Sequence, residues 1–225
     1  MKKAFVLIVL FALPVSVYII FGTAVHNFLH LPILTEEIEN TEKFTPLNEE
    51  EIQFDEFVTV LLIYGKDIKN LRGNAFNLND RIYKKNHIYK DFQIVILAED
   101  GYQEDAQNLL KELHDFTGMN ISKWKFVFGS EEDIHSFFDS MKTDLNLNEN
   151  NATPFAFLID QEGNLRGRKK NTEDTDETIY GYETHSIASL NNTMVDDVNV
   201  LLAEYRFKSK REEEDFLKYN KENQE

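Results

Sequence analysis

The sequence of 225 residues contains no cysteine, and this absence excludes several kinds of chemistry. Without a thiol there can be no disulfide, no thiolate nucleophile, no iron–sulfur ligation and no cysteine-based zinc or copper site. Cysteine usage therefore gives no clue to the redox compartment, and location has to be deduced from the N-terminus. Gly-rich phosphate loops, serine elbows and helical metal motifs are also missing.

Positive charge is scarce. Acidic residues outnumber basic ones by 40 to 24, which gives a formal net charge of -16. A surface this acidic repels a phosphate backbone, so we expect no nucleic-acid partner, and it disfavours lying flat on an anionic membrane. Hydrophobic residues make up 42% of the chain, enough for a packed core. We expect a protein partner, and the sequence does not determine the oligomeric state.

The N-terminus carries an apolar run long enough to cross a bilayer. Residues 4–22 (AFVLIVLFALPVSVYIIFG) contain no charge and follow two lysines. About 20 apolar residues span a hydrocarbon core, and the flanking lysines place the N-terminus in the cytoplasm. We therefore expect residues 1–24 to be a single-pass anchor in the plasma (inner) membrane, with a periplasmic C-terminal domain. A cleaved signal peptide is the alternative, although the run exceeds the usual length of its hydrophobic region.

The remaining chain divides into a lead-in segment (25–53), one α/β domain (54–207) and a charged tail (208–225). Continuous apolar and β-branched runs predict strands buried on both faces, as in a largely parallel sheet. We place these strands at 57–64, 92–98, 124–128 and 154–159, with a hairpin partner at 164–168. Helical spacing predicts helices near 75–85, over 103–116, after a capping box formed by Ser130 and Asp133, and after Asn192 or Thr193.

This order, closed by a hairpin and a helix, resembles the thioredoxin-like fold, in which helices flank a central mixed sheet. The segment from Asn151 to Pro154, entering Phe-Ala-Phe-Leu-Ile-Asp-Gln-Glu-Gly-Asn, resembles thioredoxin-like proteins, where a cis proline precedes this strand. Residues 54–206 are similar to the Sco branch, the membrane-anchored proteins that deliver copper to cytochrome oxidase. An aromatic–glycine pair at 64–65 and Trp124 before a Gly-Ser-initiated helix carry that similarity.

The sequence departs from the Sco pattern where the chemistry of that family lies. The resemblance implies a C-x-x-x-C-P motif just after the first core strand, where this chain has Lys66 to Arg72. It also implies a copper-ligating histidine shortly before Phe155, and residues 145–154 contain none. We therefore expect no catalytic residue, no metal site and no cofactor, and a non-catalytic binding or accessory role in respiratory complex assembly. An enzyme or a structural envelope protein on the same fold, without thiol chemistry, is the alternative.

The loop Lys66–Gly73 is the centre of the candidate binding site, because ligands of open α/β sheets lie at the carboxyl ends of strands. Its three cations make it locally basic, although a solvated loop is the alternative. The resemblance implies a cis peptide at Pro154 beside this loop, where a peptide partner can pair with the backbone. The alternative is a trans proline that starts a strand, because few X-Pro bonds in folded proteins are cis. The candidate partner-binding residues are Tyr64, Lys66, Asp67, Lys69, Arg72, Thr153 and Pro154.

Overall fold

The computed structural model describes residues 30–172 and 175–222, together with Leu10, Val15 and Ser16. Nearly all of the anchor predicted at 1–24 lies outside these residues, so the anchor stays a prediction. Within the described part of the chain, no helix combines the length and the apolar character needed to span a membrane.

A mixed sheet of eight strands forms the centre of the domain. Its spatial order is β1-β7-β6-β3-β4-β5-β2, and β10 pairs with β6 beside β7. A two-stranded hairpin, β8 with β9, stands apart from it. The strands are β1 Ile33–Thr35, β2 Thr45–Pro46, β3 Val58–Gly65, β4 Phe92–Glu99, β5 Trp124–Gly129, β6 Phe155–Ile159, β7 Leu165–Arg166, β8 Arg168–Thr172, β9 Thr175–Ile179 and β10 Tyr182–Glu183.

Three central strands run parallel, because a helix crosses back over the sheet after β3 and after β4. Strand β3 is buried at every residue, as its uninterrupted apolar sequence requires for a strand covered on both faces. Strand β6 pairs with it in the antiparallel direction, so the start of β6 lies beside the end of β3. The loop after β3 and the loop before β6 therefore meet at one edge of the sheet.

Four helical segments cover the sheet. Helix α1 runs without a break through Arg72–Leu78, a π-helical piece at Asn79–Tyr83, and Lys84–Asn86. Helices α2 and α3 are Gln103–Thr117 and Glu131–Ser140. Helix α4 runs through Ile187–Ser189, a π-helical Leu190–Met194, and Val195–Glu222.

Two hydrophobic clusters lie on the two faces of the sheet. Alternate residues of β3 point to opposite faces, so Leu62 joins one cluster and Leu61 the other. The larger cluster packs α1, α2 and α4 against the sheet, and the smaller one packs α3. This layering is the α/β architecture that the sequence predicted.

Two segments differ from the prediction. The lead-in segment contributes β1 and β2 at the two edges of the sheet. Its residues Ile38 and Phe44 are buried in the cluster that packs α3. The last helix begins before the predicted caps at Asn192 or Thr193: the Ser186 hydroxyl accepts the cap hydrogen bond from the Ser189 amide, 3.2 Å away. This early first turn places Leu190 in the larger hydrophobic cluster, where it is buried. At its other end the helix continues past residue 208 to Glu222.

Candidate functional site

The candidate site lies where the carboxyl ends of β3, β4 and β5 meet the loop before β6. Strand β3 delivers the segment 66–73, β4 ends at Glu99, and β5 leads into Ser130 and Glu131. Residues 148–154 cross the end of β3 from the other side. Open α/β sheets bind ligands at such an edge, so the position agrees with the sequence-based expectation.

Gly65 makes the close contact between the two loops possible. Its φ of +45° is a left-handed conformation, and a β-carbon there would lie 2.2 Å from the carbonyl oxygen of Asn150. That oxygen accepts a hydrogen bond from the Lys66 amide at 2.9 Å, and the Thr153 amide donates to the Ile63 carbonyl at 2.9 Å. The backbones of the two loops are thus locked together.

Asp67 occupies the middle of the loop, where the Sco pattern has its cysteine motif. Its carboxylate accepts hydrogen bonds from the side-chain amides of Asn70 at 2.8 Å, Asn148 at 2.9 Å and Asn150 at 2.9 Å. Burial by itself would raise the pKa of Asp67, but the three amides outweigh it and hold the pKa below its ordinary value. The buried carboxylate is therefore ionised at neutral pH and engaged by its own chain.

A second polar network joins the strand ends. The Lys66 ammonium lies 3.2 Å from the Glu99 carboxylate and 3.5 Å from that of Glu131. Its hydrogen bond to Glu99 is the main reason that its pKa is raised. Asn151 donates to the same Glu99 carboxylate at 3.1 Å and pairs with a ring nitrogen of His135 at 2.9 Å. Lys66 is thus oriented by its neighbours.

The groove between the start of α1 and α2 is the open part of the site and is called the α1–α2 groove below. Its volume is about 420 Å³. Lys69 pairs with Asp105 at 3.0 Å, and Arg72 pairs with Glu112. The predicted basic character of the loop is therefore balanced locally, because the groove is lined by three cations and three carboxylates, namely Lys69, Arg72, Lys111, Asp105, Glu112 and Asp115.

Aromatic side chains extend this groove along α1. The Arg72 guanidinium lies 5.4 Å from the centre of the Phe76 ring, and Phe76 meets Phe116 edge to face at 5.4 Å. Phe116 is 80% exposed, which is unusual for a side chain of that size. The groove and this aromatic pair together offer charged and apolar contacts to an incoming surface.

Four of the predicted site residues are part of the framework. Tyr64 is fully buried, and its hydroxyl has no hydrogen-bond partner among the described residues; burial raises its pKa. The hydroxyl of Thr153 is likewise buried without a described partner. Lys66 and Asp67 are held by the networks above, so Lys69 and Arg72 are the members of the predicted set whose side chains are most exposed.

The expectation of a cis peptide at Pro154 is wrong, since the described residues contain no cis peptide bond. Proline lacks an amide proton, so it begins β6 in the trans form without breaking a ladder hydrogen bond. Its carbonyl accepts from the Thr184 amide at 3.0 Å and from the Thr184 hydroxyl at 2.5 Å. Strand β10 covers this edge of β6, so the backbone here already has an internal partner.

The residues at the site do not suit copper(I). That ion prefers thiolate, thioether and imidazole ligands, whereas Asp67 is surrounded by amides and Lys66 by carboxylates. Across the described part of the chain, no group of three or more His, Asp or Glu side chains is arranged to hold a metal ion. His135, the nearest histidine in this network, is engaged by Asn151.

Sequence reasoning missed the residues that fix the loop in place. Glu99 and Glu131 directly follow two predicted parallel strands, and this position could have identified them, because the carboxyl ends of such strands share one edge. The composition of the asparagine-rich stretch 142–152 indicates only a polar loop. Three of its side chains, Asn148, Asn150 and Asn151, are the donors that bind Asp67 and Glu99.

Solved structures resemble this chain over most of its length. A SCO1/SenC family lipoprotein from Bacillus anthracis str. Ames matches with a TM-score of 0.54 and 17% identity, over 76% of this chain and 97% of that one. A protein from Bacteroides thetaiotaomicron assigned as a protein disulfide isomerase matches with a TM-score of 0.50 and 14% identity, over 80% and 99%. An Aquifex aeolicus VF5 protein assigned to electron transfer gives 0.50 and 17%, over 75% and 92%.

No protein-family model matches the chain, and no curated protein matches its sequence. At 14% to 17% identity the structural similarity establishes the fold alone. The chain has the α/β thioredoxin-like fold with a mixed central sheet and flanking helices. The presence of a SCO1/SenC protein among its structural neighbours confirms the resemblance predicted from the sequence motifs.

Proposed function

We propose that this chain is a membrane-anchored, extracytoplasmic thioredoxin-fold protein that binds another protein without thiol or copper chemistry. The observation that carries this proposal is the hydrogen bonding of the loop after β3 and the open groove beside it. The Asp67 carboxylate there accepts hydrogen bonds from three amides of its own chain, while the adjacent α1–α2 groove is open and flanked by exposed Lys69, Arg72 and Phe116. A scaffold of this kind can present a surface but offers no thiol nucleophile.

The assembly of a respiratory complex is the setting that we propose for this binding. The proposal rests on the Sco resemblance of residues 54–206 and on the SCO1/SenC protein among the structural neighbours. In this setting the protein acts as an accessory component that contacts a subunit or another assembly protein. Copper transfer is not part of the proposed role, because the polar groups at the site are amides, carboxylates and an ammonium, which are poor ligands for copper(I).

Capture from membranes tests the binding surface. Full-length protein carrying Lys69→Ala and Arg72→Ala, or Phe116→Asp, is expected to recover less than a tenth of the partner that the parent protein recovers. The matched control Lys43→Ala with Lys142→Ala also removes two exposed cations, one of them in a similar ion pair with Glu39, and should recover the partner fully. Equal losses with both pairs, or no loss with either, would contradict the proposed surface.

A copper(I) titration tests the absence of metal chemistry. The full-length protein is expected to show no stoichiometric copper(I) binding in competition with a chelator. Tight binding of one equivalent would contradict the proposal. The Asp67→Asn and His135→Ala variants would then identify whether this site supplies the ligands.

The anchor is tested independently of the partner. Residues 4–22 should keep the chain in the membrane fraction after alkaline carbonate extraction, and the domain should be open to protease from the extracytoplasmic side. Release by carbonate, or protection of the domain from external protease, would contradict the proposed topology without bearing on the groove.

A further inference from the structure

The end of the domain opposite the candidate site carries a cluster of exposed cations. Lys90, Arg206 and Lys210 line a pocket of about 410 Å³ between the loop before β4 and helix α4. Lys90 immediately precedes Asp91, whose carbonyl oxygen accepts a hydrogen bond from the Val58 amide at the start of β3, at 2.7 Å. The cluster, called the basic end below, therefore lies at the amino ends of β3 and β4.

Among the side chains that line the pocket of the basic end, cations outnumber carboxylates by three to one, although the chain as a whole is strongly acidic. Asp91 is the one carboxylate among the described residues that line the pocket, and it accepts a hydrogen bond from the Gln161 side chain at 3.2 Å. None of the three cations forms an ion pair with a side chain that the structure describes. The Arg206 guanidinium instead lies 4.9 Å from the centre of the Tyr89 ring, which holds it at the surface.

An exposed apolar side chain belongs to the same loop as one of these cations. Ile88, from the same loop as Tyr89 and Lys90, is 69% exposed. Cations with an adjacent exposed apolar residue match the boundary between lipid headgroups and acyl chains, where the charge meets phosphate and the apolar group inserts. A free phosphate ion would give Ile88 no contact.

The chain enters the domain next to the basic end. His30, Leu31 and Pro32 line a neighbouring pocket that shares Tyr205 with the basic end. His30 is only eight residues after Gly22, the last residue of the apolar run in the predicted anchor. Even a fully extended chain of that length spans at most about 29 Å. An anchored chain therefore keeps this side of the domain close to the bilayer surface.

From these observations we propose that the basic end binds the phosphate headgroups of anionic lipids in the membrane that holds the anchor. This inference rests on the anchor in the proposed function. The net charge of the whole chain argues against lying flat on an anionic membrane, but charges farther away than a Debye length of about 8 Å are screened at physiological salt. The side chains that line the pocket, three of which are cations, are then the charges nearest to a headgroup bound there.

Docking in this orientation has a consequence for the candidate site. Strand β3 has eight residues, so its two ends are about 23 Å apart. The basic end lies at one end of β3 and the α1–α2 groove at the other. Headgroup binding thus turns the groove away from the bilayer, toward the extracytoplasmic parts of a partner.

The absence of cysteine allows a direct test with a single introduced label. Full-length protein with Ile88→Cys is labelled with an environment-sensitive fluorophore and reconstituted into bilayers of phosphatidylcholine, with or without phosphatidylglycerol. The matched control carries the label at Phe116→Cys, another exposed apolar position, at the opposite end. We expect the label at position 88 to move to an apolar environment in the anionic bilayer, and the label at position 116 to stay in water.

Charge variants give the size of the effect. Lys90→Gln and Lys210→Gln should each lower the ratio of docked to undocked domain by about fivefold, which corresponds to about 1 kcal/mol for one cation at an anionic surface. The matched change Lys43→Gln should leave the ratio unchanged. Raising the salt concentration to about 1 M, where the Debye length is about 3 Å, should abolish the difference between the two bilayers.

Three results would overturn the proposal. The label at position 88 could be insensitive to anionic lipid, the label at position 116 could respond equally, or inorganic phosphate added to the neutral bilayer could reproduce the response, which would indicate a site for the ion alone. Carbonate extraction of the same samples separates this proposal from the anchor. A chain released by carbonate whose label still responds only to anionic vesicles would support headgroup binding while contradicting the anchor.

Discussion

Asp67 determines the electrostatics of the candidate site at the scale of a single residue. Its carboxylate is 8% exposed and has three amide donors within 2.9 Å. A buried carboxylate without such donors would be protonated or would destabilise the fold. The amides therefore convert a costly charge into a connection between the loop after β3 and the loop before β6.

We predict that Asp67 contributes stability that depends on pH. Its pKa in the folded protein lies below the ordinary value of 3.8, so its contribution is complete above that value and is lost as the pH falls through the folded-state pKa. Asp67→Asn should lower the free energy of unfolding by about 2 kcal/mol near neutral pH and flatten the acid limb of the stability profile. Urea unfolding across the pH range measures both effects.

The control for this prediction is Asp144→Asn, which changes an exposed carboxylate. It should leave both the neutral-pH stability and the acid limb unchanged. An Asp67→Asn profile parallel to that of the parent protein at all pH values would show that Asp67 does not titrate with a lowered pKa.

A second prediction at this scale concerns Gly65. Gly65→Ala should lower the free energy of unfolding by about 3 kcal/mol or more, because it combines a left-handed backbone with a β-carbon in contact with the Asn150 carbonyl. Gly73→Ala is the matched control: it lies in helix α1 with nothing within 4 Å of the added carbon. It should stabilise the protein by about 0.5 to 1 kcal/mol. Chemical denaturation distinguishes the two, and similar shifts would refute this account of the turn.

At the scale of the secondary-structure element, the first residue of helix α3 is determined by its local sequence. Ser130 accepts a hydrogen bond from the Asp133 amide at 3.1 Å, and the Asp133 carboxylate accepts from the Ser130 amide at 3.1 Å. This reciprocal pair is the capping box that the sequence predicted. Its hydrogen bonds also hold the pKa of Asp133 below its ordinary value. The cap places Glu131 next to Lys66, so the start of the helix also shapes the site.

We predict that Ser130→Ala lowers the free energy of unfolding by about 1 kcal/mol, the usual effect of losing an N-cap. Ser209→Ala removes an exposed hydroxyl within helix α4 and should change stability by no more than about 0.5 kcal/mol. Thermal or urea unfolding measures the difference. Equal effects of the two substitutions would argue against a capping role for Ser130.

At the scale of the whole molecule, one buried arginine ties together distant parts of the chain. Arg166 donates to the Leu31 carbonyl at 2.8 Å, to Asp160 at 2.8 Å and to Glu204 at 2.8 Å. These contacts connect the segment before β1, the turn after β6 and helix α4. The arginine is 3% exposed and Asp160 is fully buried, so each charge depends on the others.

We predict that Arg166→Met lowers the free energy of unfolding by about 3 to 5 kcal/mol, because it leaves Asp160 buried without its cation. Adding Asp160→Asn and Glu204→Gln should recover part of that loss, since the neutral side chains tolerate burial better. Urea unfolding of the single and triple variants measures the recovery. A triple variant less stable than the single one would show that the arginine acts through packing alone.

Much of the fold could be predicted because its strongest signals are local. The runs that form β3, β4 and β6 are continuous and apolar, and their predicted limits agree with the structure to within a residue or so. Strand β10 and the hairpin of β8 and β9 were not predicted, because their polar sequences form edges and surfaces where periodicity is weak. The sequence likewise indicates only a charged tail from residue 208, where helix α4 continues to Glu222.

The candidate site could be predicted only in part. The order of elements placed the loop of Lys66 to Gly73 at the carboxyl edge of the sheet. Two of the three amides that bind Asp67 come from positions 81 and 83 residues away, and nothing local in the sequence indicates that pairing. The trans peptide at Pro154 and the coverage of its carbonyl by Thr184 also depend on contacts between distant segments.

The sequence by itself determined that this protein has no thiol chemistry, carries a strong negative charge and builds an α/β domain around buried strands. These properties follow from composition and from the period of apolar residues, which each segment carries on its own. Only the tertiary structure shows that the Asp67 carboxylate accepts hydrogen bonds from three asparagine side chains. It also shows that the cations and carboxylates lining the adjacent groove are equal in number, and that three cations line a pocket at the opposite end of the domain. Those features arise from residues far apart in the chain, and only the packing of the fold brings them together.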